Sequence, residues 1–208
     1  MKTILPFFPL NLVAFPGQEL NLHVFEPRYK ELVRDCVANE SNFAIPSYVK
    51  NKIEYGTEMK LVNIAKEYSD GRFDIETKAI NVLHVLNMQN PYKEKLYAAG
   101  DVEILTNVDN GDIILKEALF ESLTELYKLV EIQKVPLNTD FRVFDIAHQI
   151  GLSKDAEYDL LQLREERQRQ RFLLDHLKVI LPQLRDIQKS KELIKMNGHF
   201  RHYDPLEF

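Results

Sequence analysis

The residues best spaced to bind a metal ion lie near the carboxyl end of the chain, where His199, His202 and Asp204 fall within six residues. Imidazole and carboxylate groups are common zinc ligands, but a metal site needs ligands held in a fixed geometry, usually by more than one segment. Because these three residues follow the last predicted helix, they have no such scaffold. We therefore expect a polar, aromatic tail without a metal or other cofactor, with a weak metal site as the alternative.

Four arginines between positions 164 and 171 are the best candidates for nucleic-acid binding. They are Arg164, Arg167, Arg169 and Arg171. Acidic residues are interleaved with them, and Glu165 and Arg169 have the i,i+4 spacing of a favourable helix pair. The net charge of −5 also repels a phosphate backbone on average. The pattern therefore predicts a solvated helix face, and nucleic-acid binding is kept as the alternative.

The chain contains no sequence motif of a nucleotide-driven or hydrolytic enzyme. None of its seven glycines begins the phosphate-binding pattern G-x-x-x-x-G-K-[ST]. It also lacks the G-x-S-x-G pattern that positions a nucleophilic serine and the H-E-x-x-H pattern that binds zinc on a helix. We therefore predict a non-enzymatic protein with no catalytic residues.

A single cysteine, Cys36, excludes an internal disulfide bond. It lies on the apolar face of a predicted helix, which favours a small buried side chain over a nucleophile. The first three residues are followed by an apolar run broken by Pro6 and Pro9, which does not fit a secretory signal. No apolar run approaches the ~18 residues that a membrane span requires. We therefore expect a cytoplasmic protein that does not contact a membrane.

The amino-terminal part of the chain predicts a tight turn, a strand and a helix in that order. Pro16-Gly17 fits the central positions of a type II turn, where Gly supplies the positive φ. Apolar and polar residues alternate along Leu20–Val24, which is the period-2 pattern of a strand. Glu26-Pro27 is typical of a helix start because Pro is preorganised for the first turn. The apolar face of that helix is predicted to contain Tyr29, Leu32, Val33, Cys36 and Val37.

Short strands dominate the chain as far as residue 105, and helices follow. Asp70-Gly71 between two strand-like runs is a strong hairpin signal. The strands are predicted at 43–49, 59–68, 72–77, 82–86 and 96–105. Several short strands with one early helix favour a small barrel or sandwich. From residue 113 apolar residues recur at helical spacing, with Pro136 ending one helix and a kink or break at Pro182.

The order and residue types of the amino-terminal block resemble the substrate-binding domain of the Lon protease family. Its stand-alone branch opens with L-P-L-F-P-L-x-x-V-L-F-P-G-x-x-L-P-L-x-I-F-E-P-R-Y-x-x-L. Leu5–Leu32 carries nearly all of this pattern, with mild departures at Ala14, Asn21 and Val24. The resemblance implies an α+β fold in which a PUA-like β-barrel is followed by a carboxy-terminal helical bundle. We place the barrel at 1–108, the bundle at 109–198 and a tail at 199–208.

The resemblance implies recognition of protein substrates without proteolysis, because the chain is too short to include the ATPase motor and the Ser-Lys protease domain of an intact Lon protease. The expected partners are unfolded or tagged polypeptides. A separate ATP-dependent protease is a further partner if the domain acts as an adaptor in protein quality control. The family is also related to cereblon, but a chain with no Trp and one Cys is not expected to form cereblon's drug-binding cage.

Four residues of the amino-terminal block are candidates for a peptide-binding surface. An apolar groove with a polar rim can bind an unfolded chain by burying its side chains. Phe15, near the Pro-Gly turn, and Phe25, opposite the aliphatic face of its strand, would supply the apolar surface. Arg28 and Glu31, on the polar face of the helix, would form the rim. The alternatives are that both rings belong to the barrel core and Arg28 to a structural ion pair, and that a PUA-like module binds RNA.

Overall fold

The computed structural model describes residues 2–49, 52–131 and 140–199, with backbone only for 196–199. The strands are β1 (Lys2–Phe7), β2 (Glu19–Val24), β3 (Phe43–Pro46), β4 (Tyr55–Glu67), β5 (Phe73–Val85) and β6 (Ala98–Ile104). The helices are α1 (Pro27–Ala38), α2 (Ile113–Leu129), α3 (Val143–Ile146), α4 (Lys154–Leu161) and α5 (Glu166–His199), with a 3₁₀ turn at Ala147–Gln149.

Five of these strands close into a barrel in the order β5-β4-β3-β1-β6, because β6 pairs back onto β5. β5 is long enough to pair with two strands along one of its edges. Leu83–Val85 pairs with β6, and Phe73–Lys78 pairs with β2. Within the described residues β2 therefore lies outside the ring and pairs with β5 alone. The predicted α+β fold with a PUA-like barrel is confirmed.

Two turns that the sequence predicts are formed as expected. Phe15 O accepts a hydrogen bond from Gln18 N over 3.0 Å, and Gly17 has a φ of +94°, as a type II turn requires. Gly71, in the hairpin between β4 and β5, has a φ of +76°. The predicted strands at 72–77 and 82–86 are in fact one strand, β5, because it passes from β2 to β6 without a turn.

Helix α1 packs one face into the core of the barrel. Tyr29, Leu32, Val33 and Cys36 are buried, as predicted. Val37, predicted to share this face, is 50% exposed, since it lies one residue beyond the buried Cys36 and is turned toward solvent. Burial raises the pKa of the Cys36 thiol to about 11, so the thiol is protonated at neutral pH and is a small buried side chain, as predicted.

The chain divides into two compact units. The barrel unit consists of Met1–Asp109 and Phe141–Glu166, and the helical unit consists of Asn110–Asp140 and Arg167–Phe208. Helices α3 and α4 belong to the barrel unit, where Phe144 stacks on Phe15 and the Tyr158 hydroxyl accepts a hydrogen bond from Tyr55 N. The boundaries 1–108, 109–198 and 199–208 stay a prediction, and the tail from residue 200 onward lies outside the described residues.

The helical unit contains α2 and most of α5. Asp112 caps α2 by accepting hydrogen bonds from Ile114 N and Leu115 N, and Arg185 of α5 binds Glu125 of α2 through Nε and Nη2 at 2.5 and 2.7 Å. Helix α5 continues through Pro182, where the sequence predicts a kink or break. Proline in a helix costs about 3 kcal/mol, and the buried leucines that precede it, such as Leu177 and Leu181, offset that cost by packing.

Candidate functional site

Three segments of the amino-terminal block form a groove in the barrel unit. Phe8–Leu10 follows β1, and Leu22–Val24 ends β2. Phe25 and Glu26 connect β2 to α1, and Arg28 and Tyr29 lie in the first turn of α1. They enclose about 310 Å³, near the lower end of the ~300–1,000 Å³ that is usual for ligand pockets. The lining is mainly apolar and aromatic, with charged side chains at Glu26 and Arg28. This size and lining suit a few apolar side chains of a larger ligand.

Two stacked rings contribute to the lining of the groove and are held by the core. The centroids of Phe8 and Tyr29 are 3.8 Å apart, and both residues are almost fully buried. The guanidinium of Arg28 lies 4.5 Å from the centre of the Tyr29 ring, a cation–π contact. Burial raises the pKa of the Tyr29 hydroxyl above its ordinary value. This part of the groove is therefore preformed, and a ligand does not have to order it.

Phe25 is the exposed apolar residue of the groove. Along β2 the side chains of Leu20, Leu22 and Val24 point toward the core, and the next residue, Phe25, is 59% exposed. Pro27 then starts α1, with Glu26 as its extended N-cap residue. The strand-to-helix junction therefore presents a large ring to solvent beside an apolar groove, which is a feature of binding surfaces.

The charged side chains at the rim are paired with each other. Arg28 Nε donates to Glu26 Oε2 over 2.9 Å, and both side chains remain partly exposed. An exposed ion pair of this kind contributes little to stability, so it can open to contact a ligand at small cost. Arg28 thus has a structural ion-pair partner and a position at the groove at the same time.

A hydrogen-bonded cluster adjoins the end of β2. His23 Nδ1 lies 2.6 Å from Asp74 Oδ1, and the Tyr68 hydroxyl donates to Asp74 Oδ2 over 2.7 Å. The hydrogen bonds from His23 and then Tyr68 lower the pKa of the Asp74 carboxyl. The His23 ring also lies 6.1 Å from the ring of Phe25. These hydrogen bonds connect the end of β2 to the start of β5 and thereby help to position Phe25.

The structure brings two of the four predicted site residues to this groove. Phe25 and Arg28 line it. Phe15 is fully buried and stacks on Phe144 with centroids 5.3 Å apart, so we leave it out of the proposed surface. Glu31 accepts a hydrogen bond from Leu96 N over 2.8 Å and lies 3.7 Å from Lys95 Nζ, outside the groove lining.

Sequence reasoning did not predict that Phe8 and Tyr29 line the groove. Tyr29 falls on the predicted core face of α1, and Phe8 lies in an apolar run between two prolines. No local pattern reports this lining, because the stack of Phe8 on Tyr29 joins the segment after β1 to helix α1.

The arginine cluster does not form one exposed basic face. Arg164 precedes α5 and donates to Thr106 O over 3.3 Å. Arg167 lies 3.4 Å from Asp112, and Arg169 is 2% exposed. Arg171 is exposed. These contacts leave the RNA-binding alternative without an observation in its favour.

Two other cavities of the described chain carry more polar or charged groups than the groove. One of about 200 Å³ beside Ile4 is lined largely by polar groups, among them Asn87, Gln89 and Asp101. One of about 590 Å³ in the helical unit carries the charged residues Glu121, Glu125 and Lys128. Among the described residues no group of three or more His, Cys, Asp or Glu side chains is placed to hold a metal. In the same residues, no helix has the length and apolarity to cross a membrane.

Comparison with known proteins identifies relatives for nearly the whole chain. The family model described as ATP-dependent protease La (LON) substrate-binding domain matches residues 4–195. A Lon N-terminal domain protein from Xanthomonas campestris is 24% identical, with a TM-score of 0.62, covering 83% of this chain and 98% of that one. The N-terminal domain of Mycobacterium avium complex Lon protease is 12% identical with a TM-score of 0.62, covering 85% and 98%. At these identities the structural likeness shows the fold.

A curated relative covers a shorter part of the chain. Protein cereblon of Danio rerio is 30% identical in an alignment of 83 residues, and the match covers 36% of this chain. The chain spans 19% of the length of that relative. The likeness is confined to a segment.

Proposed function

The chain belongs to the family of ATP-dependent protease La (LON) substrate-binding domains, and from this premise we propose that it is a non-enzymatic module that binds unfolded or tagged polypeptides. The observation that carries the proposal is the groove beside Phe25. It combines a 59% exposed ring, a preformed aromatic lining and the Arg28–Glu26 ion pair at its rim. Interfaces of this composition obtain affinity from apolar burial at the centre and tolerate polar contacts at the edge.

Unfolded chains are the ligand class that this surface suits. Native proteins bury most of their large apolar side chains, whereas unfolded or partly degraded chains expose them. A shallow groove that accepts a few such side chains selects exposed apolar segments with little regard to the rest of the sequence. Weak, repeated contacts of this kind suit a protein that samples many clients.

We further propose that the module works in the cytoplasm as an adaptor that presents its clients to a separate ATP-dependent protease. The proposal predicts that adding this protein raises the rate at which a purified ATP-dependent protease degrades a fluorescent unfolded substrate. The rate should return to its basal value when an unlabelled apolar peptide competes for the groove. An unchanged degradation rate would limit the function to polypeptide binding.

Photo-crosslinking tests polypeptide binding at the groove. The probe is a short peptide that alternates Ser with Leu and carries one benzoylphenylalanine in place of a Leu. Mass spectrometry should locate the crosslinks in Phe8–Leu10 or in the stretch from Leu22 to Tyr29, where the groove lining lies. A matched peptide in which every Leu is replaced by Ser should crosslink much less. Crosslinks confined to the helical unit, or equal yields from both peptides, would contradict the proposal.

A further inference from the structure

Among the described residues, β2 has a neighbouring strand on one side only. It pairs with β5 from Glu19 to Val24 and with no other strand, whereas the other five strands form the closed ring. An unpaired strand edge exposes backbone N–H and C=O groups that can pair with another chain. Among the described residues the barrel unit therefore has an open edge along β2, the strand that directly precedes Phe25.

The hydrogen bonds of the β2–β5 ladder show which backbone groups face this edge. Ala79 N donates to Gln18 O over 2.9 Å, and Thr77 Oγ1 donates to Leu20 O over 2.9 Å, so both carbonyls point toward β5. In an antiparallel pair, residues that bond to the partner strand alternate with residues whose backbone groups point away. The N–H and C=O groups of Asn21 and His23 therefore face the open edge, where no described residue bonds to them.

Several features that protect natural edge strands from pairing are missing from β2. Glu19–Val24 contains no Lys and no Pro, and its register with β5 contains no bulge. The edge also leads into the groove, since Leu22, Val24 and Phe25 line it. A strand added to β2 would thus run directly along the apolar lining.

We propose that β2 binds the polypeptide ligand as an added β-strand. An extended segment pairs its backbone with Asn21 and His23 and inserts apolar side chains into the groove beside Phe25. This inference rests on the proposed function and specifies its ligand class: an extended stretch without proline, apolar at alternate positions. Backbone pairing does not depend on sequence and supplies general affinity, whereas the groove supplies the preference for apolar residues.

Proline substitution at the open edge tests the inference on the protein side. Asn21→Pro removes an N–H that points away from β5, so no bond of the ladder is lost and the edge strand tolerates it. Asn21→Ala is the matched control because it removes the same side chain and keeps the N–H. Asn21→Pro should bind a fluorescein-labelled peptide that alternates Ser with Leu roughly tenfold or more weakly than Asn21→Ala. Equal affinity of two variants with unchanged circular dichroism would overturn the inference.

N-methylated peptides test the same inference on the ligand side and do not depend on the folding of a variant. One isomer carries methyl groups on alternate amides. The second isomer carries the same number of methyl groups, each moved to the next amide along the peptide. Strand pairing directs every second peptide N–H toward β2, so one isomer should bind roughly tenfold or more weakly than the other. Equal affinities of the two isomers would overturn the inference.

The outcomes separate this inference from the proposed function. If the unmodified peptide does not bind the wild-type protein, the proposed function fails and the inference fails with it. If it binds and crosslinks in the groove while the isomers bind alike, only strand addition is overturned. A dimer seen by light scattering and abolished by Asn21→Pro, with peptide affinity unchanged, would assign the edge to a second copy and overturn the inference.

Discussion

Replacing Phe25 with Ala is expected to weaken the binding of an apolar peptide roughly 4- to 20-fold. Phe25 is 59% exposed in the free protein, and a ligand can bury at most that share of its surface. Full burial of a large apolar side chain contributes about 1.5–3 kcal/mol, and 59% of that is about 0.9–1.8 kcal/mol. Each 1.4 kcal/mol corresponds to about a tenfold change in Kd, which gives the stated range.

Fluorescence anisotropy of the labelled Ser-Leu peptide measures this effect. The matched control is Val62→Ala, because Val62 is 58% exposed, lies on β4 and does not line the groove. Both variants should unfold at nearly the wild-type temperature, since both remove exposed side chains. If Phe25→Ala binds as tightly as Val62→Ala, the exposed ring does not contact the ligand and the assignment of the groove is refuted.

Three further predictions follow from other parts of the barrel unit. Phe15→Ala should destabilise the protein by about 3–5 kcal/mol in urea unfolding because it empties a fully buried site against Phe144; a loss below about 1 kcal/mol would contradict a core role. The Cys36 thiol, with its pKa raised to about 11, should react with a thiol reagent at neutral pH only after unfolding, and fast reaction of the native protein would disagree with its burial. Asp74 has a lowered pKa, so the stability that it contributes is present above its ordinary pKa and is lost as the pH falls through the lower folded value. Asp74→Asn should therefore lower the melting temperature at neutral pH and progressively less in acid, and a loss that does not change with pH would contradict this account.

The local features of the amino-terminal block could be predicted from the sequence because each depends on a few adjacent residues. Gly17 supplies the positive φ of its turn, Pro27 sets the start of α1, and the alternation from Leu20 to Val24 places one face of β2 inward. The resemblance to the Lon substrate-binding domain then predicts that the strands form a barrel. No long-range information was needed for these elements.

The candidate site could be predicted only in part because it depends on packing between distant segments. Phe15 and Phe25 have the same residue type and lie in the same block, yet one stacks on Phe144 of α3 and the other is exposed. The contact with α3 spans more than a hundred residues, and no local pattern reports it. For the same reason the hydrogen bond of Glu31 with Leu96 N, which places Glu31 outside the groove lining, was not visible in the sequence.

The open edge of β2 also follows from non-local pairing. A strand pattern shows which side chains share a face, but it does not show how many neighbours the strand has. The register of Glu19–Val24 with Thr77 and its neighbours on β5 supplies that information. The number of neighbouring strands decides whether the backbone N–H and C=O groups of Asn21 and His23 are already hydrogen-bonded or are available to a ligand.

Amide-resolved hydrogen exchange with and without the Ser-Leu peptide tests the central claim, polypeptide binding at this groove, most directly. We predict slower exchange of the Asn21 and His23 amides on peptide addition, together with chemical-shift changes at Phe25 and Tyr29. We predict no change at the exposed Val62 of β4. Exchange that slows only in α2 and α5, or that does not change anywhere at saturating peptide, would contradict the claim.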